Sequence, residues 1–596
     1  MNTKSRSAAA LMIGLVLAAI GESPAPADLI AAGEAESPSR KLRALFDESW
    51  ELDLRADPLN ATYVGEHRYD DRLPDYSIET RTRRVEAWKS LRTRLAAIDP
   101  ARLSVDERID REVLLETLDD RLELEPYRGF LIPFTQQEGL HLAFAQNVNF
   151  HPTATAGDLE NYIRRLEALP AAVEGVIALL ELGMKEKRTP PRATLAMVIP
   201  QLRSLAPSDP RKSPLFGIMS RLPADLASER RSEIETRVVA AIETKVNPAF
   251  TRWADFLERV YLPACRTSVG LWDTPDGPAH YARLVRSFTT TELKPDEIHR
   301  IGLEEVAKTR AAMDDVRRQV GFSGDLDAFL RYLRTDPKFR NSSPEAILAR
   351  YREILTAMDA KLPLLFGKLP KTDYGLKEIE AYRAKSAAAG YYYPFPEDGS
   401  RPGYFYVNTS EPGERTTFSM QALAYHEAVP GHHLQFALTI ELADRPAFRR
   451  NGYVPAFSEG WGLYSETLPK EVGLYTDPYS EYGRLEYSAW RSARLVVDTG
   501  LHHLKWTREQ AIDYLVKNSA MPRVEVESEV DRYIAWPGQA LAYKVGELEI
   551  RRIRAEAEKR LGDRFDVRAF HDRLLSQGSL PLGILRRWMA AEGTEK

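Results

Sequence analysis

The chain has almost no cysteine: Cys265 is the only one among 596 residues. A single cysteine excludes an intrachain disulfide, although it is compatible with export from the cytoplasm. Because Cys265 lies far from the N-terminus, we exclude lipid attachment at an N-terminal cleavage site.

The chain also lacks an excess of either charge. Its 82 basic and 87 acidic residues are interspersed and give a net charge of −5. We find no basic face of the kind that binds nucleic acid and no glycine-rich loop that would cradle a phosphate. We therefore expect neither nucleic acid nor nucleotides as partners. The fractions of hydrophobic residues, 43%, and charged residues, 28%, are ordinary for a globular protein.

Long hydrophobic runs are missing except near the N-terminus. Lys4 and Arg6 precede the apolar run Ala8–Ile20, and Ala25-Pro26-Ala27 follows as a small-residue cleavage site. The run is too short to span a bilayer, since a spanning helix needs about 20 residues. The pattern predicts a signal peptide over residues 1–27, with an uncleaved anchor as the alternative. We expect an exported protein, periplasmic or secreted, without stable membrane insertion.

Helical periodicity dominates the rest of the sequence. A helix is predicted from Ser104 to Leu124 with Ser104 and Asp106 as candidate caps, and two helices are predicted from Thr155 to Met184, broken near Leu169-Pro170. We divide the mature chain into a mainly helical N-terminal part, residues 28–364, and a metal-site part, residues 365–596.

A short β-element interrupts the helical pattern. The aromatic runs Gly390–Phe395 and Gly403–Asn408 are bounded by turn residues and read as two strands joined near Glu397–Ser400. The fold class is therefore mainly α: a large helical body around a deep cleft, with a small β-element next to the metal-binding helix.

Candidate metal ligands are concentrated just after this element. His426, His432 and His433 are three of the chain's eleven histidines and lie within eight residues, with Glu427 beside the first. A zinc hydrolase needs three protein ligands, an open position for water and a carboxylate that takes the water's proton. The stretch predicts a zinc site.

The spacing departs from the usual H-E-x-x-H helix, in which two histidines four residues apart share a face. Here the fourth residue after His426 is Pro430, and the next histidines lie six and seven residues on. Pro430 removes a backbone donor and Gly431 tolerates unusual dihedral angles, so we expect a local bulge of two residues. Such a bulge favours His432 as the second ligand, with His433 as its competitor.

This stretch resembles the H-E-x-G-H helix of the thimet oligopeptidase, carboxypeptidase Taq and angiotensin-converting enzyme group, with two residues inserted. The pairing of H-E-x-x-P-G-H-H-x-Q with E-G-W-x-x-Y-x-E, from Glu459 to Glu466, is similar to a bacterial family of zincin-like proteins, domain of unknown function eight-eight-five. The likeness covers most of the mature chain, including residues 494–500 and 536–544.

The resemblance implies the remaining ligand and the catalytic base. In the peptidase group the third ligand is a glutamate on a following helix, and Glu459 lies 27 residues after His432. His426, His432 and Glu459 would then bind Zn²⁺. Glu427 would activate the bound water and later protonate the leaving amine.

The resemblance also implies groups that contact the substrate. A tyrosine on a late helix stabilises the oxyanion in the peptidase group, and the segment before Tyr543 resembles that region; Tyr533 is the reserve candidate. Arg491, Arg494 and His502 are candidates to line the cleft, where an arginine could grip a substrate carboxylate. Salt bridges on a helix face are the competing interpretation for these residues.

Together these expectations describe a zinc metallopeptidase that hydrolyses short peptides with a metal-activated water. One alternative is an exported peptide-binding or structural protein whose metal site is not catalytic. A zinc amidase acting on a non-peptide amide is another.

Overall fold

The computed structural model describes residues 37–380, 384 and 387–591. The expected signal peptide, residues 1–27, lies outside the described residues. The described chain is mainly α-helical with one small sheet, which confirms the predicted fold class.

The helices that precede the sheet are α1 (Pro38–Ala56), α2 (Pro58–Tyr63), α3 (Ile78–Ala96), α4 (Val105–Leu124), α5 (Leu140–Asn147), α6 (Ala156–Lys185), α7 (Arg192–Ala196), α8 (Val198–Leu205), α9 (Ser228–Ala241), α10 (Asn247–Phe256), α11 (Leu262–Ala264), α12 (Gly277–Thr289), α13 (Pro295–Gln319), α14 (Leu326–Thr335), α15 (Pro344–Asp359) and α16 (Leu362–Leu365). Two π-helical segments, Ile242–Val246 and Leu257–Tyr261, join α9, α10 and α11.

The helices that follow the sheet are α17 (Met420–Glu427), α18 (His432–Ile440), α19 (Ala447–Arg450), α20 (Pro455–Ser465), α21 (Leu468–Glu471), α22 (Pro478–His502), α23 (Arg508–Asn518), α24 (Arg523–Ala535), α25 (Ala542–Leu561), α26 (Val567–Leu575) and α27 (Leu582–Ala590). Short 3₁₀ turns lie at His67–Tyr69, Pro100–Arg102, Glu125–Tyr127, Gly129–Leu131, Pro210–Lys212, Pro214–Arg221, Leu271–Asp273, Pro337–Phe339, Pro412–Glu414, Gln539–Leu541 and Gly562–Arg564.

Local signals set several of these boundaries. Of the two candidate caps, Ser104 is the N-cap of α4: its hydroxyl accepts from the Glu107 backbone N–H, and the Glu107 carboxylate accepts from the Ser104 N–H. This reciprocal pair satisfies two backbone donors that the first turn of a helix leaves free.

The predicted break near Leu169-Pro170 is wrong, because α6 runs unbroken through Pro170. Leu166, Leu169 and Val173 are fully buried on one face of α6. Proline removes one backbone hydrogen bond, but continuous burial of this apolar face outweighs that loss.

The sheet has three strands in the order β1-β3-β2: β1 is Tyr374–Glu378, β2 is Gly390–Tyr393 and β3 is Gly403–Val407. The two predicted strands, β2 and β3, pair antiparallel, and β1 joins β3 in parallel. The sequence did not predict β1, whose side chains are half-buried or exposed. β2 lies at the edge of the sheet, next to the predicted metal site.

Two large hydrophobic cores hold the helices. The larger one draws on side chains between Ile109 and Met589 and includes residues of α17, α20 and α25. The second draws on side chains between Leu59 and Cys265, and Cys265 itself is buried in it. Among the described residues, no helix combines the length and apolar character that a bilayer-spanning segment requires.

Candidate metal centre

The histidine stretch is a break between two helices. α17 ends at Glu427, α18 begins at His432, and Gly431 is the N-cap residue. The distortion is therefore larger than the expected bulge. The turn is tight, because a Cβ at Gly431 would lie 1.9 Å from the His426 carbonyl oxygen. The Trp461 indole donates to the carbonyl of Pro430 at 3.0 Å and thereby satisfies a buried acceptor in the break.

The three predicted ligands meet at one point. Nε2 of His426 lies 3.5 Å from Oε2 of Glu459, and Nε2 of His432 lies 3.4 Å from the same oxygen. One ligand atom of each residue lies within 4.8 Å of those of the other two, and all three side chains are buried. Two imidazole nitrogens and a carboxylate oxygen are a donor set that suits zinc.

The orientation of His426 is fixed by a bond to the ring nitrogen that faces away from the centre. Its Nδ1 lies 2.8 Å from Oε1 of Glu466, which is buried on the same motif as Glu459. This bond leaves Nε2 free to face the centre, as in the carboxylate–histidine pairs of metal sites. Gly462 supplies the space for the ring, since a Cβ there would lie 2.7 Å from Cε1 of His426.

Glu459 is held by a tyrosine and by a close helix crossing. The Tyr453 hydroxyl donates to Oε1 of Glu459 at 2.7 Å, so Oε2 faces the two histidines. α20, which carries Glu459, crosses α25 at Gly460 and Gly546. A Cβ at Gly460 would lie 2.5 Å from the Gly546 carbonyl carbon. The glycines thus let the ligand helix approach α25.

His433 points away from the centre. Its Nδ1 lies 2.8 Å from the Tyr392 hydroxyl on β2, and its ring packs against Tyr374 on β1. Burial lowers the pKa of His433 to about 4, so it is a neutral ring bound to the sheet. The structure brings His432, and not His433, to the other two ligands.

The centre opens into a cavity of about 510 Å³. Glu427 and Tyr543 line it together with the three ligands, and the Tyr543 ring lies 6.4 Å from the His426 ring between centroids. Tyr533, the reserve candidate, is not in the lining: its hydroxyl accepts from Trp490 at 3.0 Å and donates to Glu529 at 2.7 Å. The predicted base and tyrosine therefore share one cavity with the ligands.

The electrostatics of the centre favour a cation. Burial opposes the charge on His426, but bonds to Glu459 and Glu466 outweigh it and raise the pKa of His426 to about 9. Burial would also raise the pKa of Glu459, yet the two histidines hold it well below its usual range. Burial raises the pKa of Glu427, as expected for a carboxylate placed to take up a proton.

The candidate substrate-binding residues divide into two groups. Arg491 and Arg494 line the cavity, and so does Arg532 of α24, which sequence reasoning missed. His502 lies outside it. Its Nδ1 accepts from the Leu271 backbone N–H at 3.1 Å and its Nε2 donates to the Tyr533 carbonyl at 3.0 Å. Both nitrogens of His502 are thus engaged in holding elements together.

Sequence reasoning also missed two residues that support the ligands. Glu466 lies seven residues after Glu459, two helical turns on, so its position in the motif could have revealed that both face His426. Tyr453 stands alone in a loop before α20, and no spacing rule points to it.

The family known as DUF885, bacterial proteins of unknown function, matches residues 58–589. The chain belongs to this family. A candidate lipoprotein from Colwellia psychrerythraea resembles this DUF885 protein with a TM-score of 0.90 and 28% identity, covering 94% of this chain and 100% of its own.

A candidate lipoprotein of unknown function from Shewanella oneidensis is similar in fold, with a TM-score of 0.68 and 20% identity, covering 93% of this chain and 100% of its own. No protein with curated annotation matches this DUF885 chain at a significant level. None of these descriptions names a peptidase, so the resemblance to thimet oligopeptidase and its relatives stays a prediction.

Proposed function

We propose that this DUF885 protein is a zinc-dependent metallopeptidase. The observation that carries the proposal is the convergence of Nε2 of His426, Nε2 of His432 and Oε2 of Glu459, with Glu427 beside them in a cavity. Two histidines and a glutamate, with a second glutamate as base, are the residue types that zinc hydrolysis requires.

The distances fit a zinc ion. In a tetrahedral site with bonds of about 2.0–2.2 Å, neighbouring ligand atoms are roughly 3.3–3.6 Å apart. The two separations between histidine nitrogens and the Glu459 oxygen are 3.5 and 3.4 Å. His426, His432 and Glu459 would hold the ion, and when bound it would lower the pKa of a water and polarise the substrate carbonyl.

Side chains that line the cavity would carry out the proton transfers and stabilise the oxyanion. Glu427 would accept the proton of the attacking water on its carboxylate and pass it to the leaving amine. The hydroxyl of Tyr543 would donate to the oxygen that becomes negative as the carbonyl is attacked. Glu466 and Tyr453 would keep the ligands oriented, since each bonds the ligand atom that faces away from the centre.

The dimensions of the cavity favour short peptides. About 510 Å³ accommodates a few side chains, and β2, α2 and α24 contribute to its walls. The β2–β3 turn is attached on both sides: Asp398 bonds His67, and Glu397 bonds Arg450. Since Arg450 also lines the cavity, we expect these contacts to hold the turn beside it and to restrict entry to short peptides.

The proposal includes a place in the cell. The two similar structures are candidate lipoproteins, which favours the cell envelope. The charged and apolar N-terminal pattern, from Lys4 to Ala27, favours export by a signal peptide. Peptides available in the envelope would be its substrates.

The first experiment is metal analysis with a peptide-cleavage assay on the parent and Glu427→Gln proteins. We expect about one zinc per chain in both and loss of turnover only in the variant, because Glu427 is not one of the three ligands and would act on the bound water. A parent protein that takes up no zinc when the metal is supplied would overturn the proposal.

Histidine variants provide the matched control. His426→Ala and His432→Ala should lose zinc, whereas His433→Ala should retain it because His433 binds Tyr392. Zinc that persists in His432→Ala and disappears in His433→Ala would contradict the assigned ligand set.

A further inference from the structure

Arg491 is a buried cation that, within the described part of the chain, has no hydrogen-bond partner at two of its nitrogens. Its side chain lines the cavity and the residue is only 4% exposed. Among the described residues, neither Nε nor Nη1 of Arg491 meets an acceptor. A guanidinium carries its charge at every accessible pH, so this group cannot escape the cost of burial by losing a proton.

Aromatic rings fix the plane of this guanidinium. The Arg491 Cζ lies 4.3 Å from the ring centroids of both Tyr487 and Trp490, and 5.9 Å from that of Tyr543. Contacts of this kind stabilise the faces of a guanidinium and leave its edge N–H groups available. The edge is the part that pairs with a planar anion through two parallel hydrogen bonds.

Two further arginines give the same wall an excess of positive charge. Arg494 and Arg532 share one carboxylate, Glu529, at 3.1 and 3.5 Å. Nη1 of Arg494 and Nη2 of Arg532 also lack hydrogen-bond partners among the described residues. Three guanidiniums therefore face the cavity. Glu529 pairs with two of them, and the other two carboxylates of the lining, Glu427 and Glu459, belong to the metal centre.

An unpaired buried cation destabilises a fold by several kcal/mol unless a ligand completes it. The three proposed ligands and Glu427, which would cleave a peptide bond, border the same cavity. The aromatic side chains of the cavity wall hold Arg491 close to Tyr543. A substrate that carries a carboxylate would both occupy the cavity and supply the missing acceptors.

We propose that Arg491, supported by Arg494 and Arg532, binds the C-terminal carboxylate of the substrate and thereby directs cleavage to bonds near the carboxyl end of a short peptide. This inference rests on the proposed function. It adds which end of the peptide is cleaved. The Tyr543 ring centroid lies 5.9 Å from Cζ of Arg491 and 6.4 Å from the ring centroid of His426, so the carboxylate site and the metal centre are close to each other. Only a short stretch of peptide fits between the carboxylate and the metal centre.

Peptide binding to an inactive protein tests the inference separately from catalysis. The probes are N-acetyl-leucyl-phenylalanine and its C-terminal amide, titrated by calorimetry into zinc-loaded Glu427→Gln protein. We expect the free acid to bind at least about tenfold more tightly than the amide, the size of effect that a buried charge pair provides. Adding Arg491→Met should remove this preference and leave the affinity for the amide unchanged.

Arg484→Met is the matched control. Arg484 lies seven residues earlier on α22, pairs with Glu481 and does not line the cavity, so its variant should keep the preference for the acid. The melting temperature gives a second readout in the absence of peptide. Removing an unpaired buried cation should leave the melting temperature of Arg491→Met unchanged or raised.

The outcomes separate the two proposals. Equal binding of acid and amide, binding of neither, or a preference that survives in Arg491→Met would overturn the role of Arg491. A marked fall in the melting temperature of Arg491→Met would do the same, because it would make Arg491 a structural residue. Preference for the acid without turnover by the zinc-loaded parent would refute the peptidase and keep the carboxylate site.

Discussion

The carboxylate of Glu466 orients the imidazole of His426, although Glu466 is not itself one of the three proposed ligands. Its bond to Nδ1 of His426, 2.8 Å long, directs the opposite nitrogen to the centre. We expect Glu466→Gln to weaken zinc binding by about 10–100-fold, the usual effect of losing such a partner. Competition with a chromophoric chelator measures the zinc affinity.

Glu471→Gln is the control for this change. Glu471 lies five residues further on, is half-exposed and pairs with Arg554 away from the centre. It should bind zinc like the parent. An unchanged zinc affinity in Glu466→Gln would mean that the surrounding packing alone fixes the imidazole.

Gly462 is required by the same imidazole. An added Cβ would lie 2.7 Å from Cε1 of His426, so Gly462→Ala should displace the ring and lower the bound zinc well below one per chain. Gly413→Ala should keep its zinc, because a Cβ there meets no atom within 4 Å. Zinc analysis of the two variants measures the difference. Full zinc occupancy in Gly462→Ala would show that the imidazole of His426 can move aside without losing the metal.

Residue types and spacing predicted the two histidine ligands, and the resemblance to the peptidase group implied Glu459, Glu427 and Tyr543. His426, His432, Glu459, Glu427 and Tyr543 were all predicted from the sequence, and the structure brings them to one cavity. Tyr453 was missed because no spacing rule marks a loop tyrosine six residues before a ligand. Arg532 was missed because only the packing of α24 brings it to the cavity.

At the level of elements, the crossing of α20 and α25 positions Glu459. A Cβ at Gly546 would lie 1.8 Å from the Ala456 carbonyl oxygen, and backbone atoms cannot move aside as side chains do. We expect Gly546→Ala to lower the free energy of unfolding by on the order of 3 kcal/mol. Chemical denaturation measures this value.

Gly583→Ala on α27 serves as the comparison. The nearest atom to an added Cβ there is Nη1 of Arg587 at 3.8 Å, so the change should be neutral or slightly stabilising in a helix. If Gly546→Ala unfolded at the same denaturant concentration as Gly583→Ala, the helices would not need this close approach.

Periodicity predicted the helices well, and it failed where tertiary packing decides. α6 continues through Pro170 because its apolar face is buried on both sides of the proline. β1 escaped prediction because its side chains are half-buried or exposed, and pairing with β3 creates the strand. The break after Glu427 was expected only as a bulge, since local rules do not determine how far a chain departs from helix at Pro430.

For the whole molecule, His67 connects the N-terminal helices to the β2–β3 turn. Its Nδ1 lies 2.9 Å from Asp70 and its Nε2 3.2 Å from Asp398. The bond to Asp70, against partial desolvation, raises the pKa of His67 from 6.5 to about 9, and Asp398 adds to it. Because the pKa is higher in the folded state, protonated His67 stabilises the fold fully below pH 6.5, and this stabilisation is lost as the pH rises through 9.

We therefore expect His67→Gln to lower the melting temperature at pH 6 and to have little effect at pH 10. Melting curves of parent and variant across this range measure the difference. His503→Gln, which removes a half-buried histidine paired with the exposed Asp296, should follow the parent curve. A constant difference between His67→Gln and the parent at every pH would show that the ring contributes by packing and not by charge.

The cavity wall joins residues from almost the entire length of the chain. The same space is bordered by Asn60 and Tyr63 near the beginning of the chain, by the ligands between residues 426 and 459, and by Tyr543 nearer the end. A chain still leaving the ribosome or crossing a membrane cannot enclose this space, since its last wall residue has not yet arrived. The proposed hydrolysis would thus not occur during synthesis and transport. It would begin only when the whole chain has folded, and this delay does not depend on the removal of an inhibitory segment.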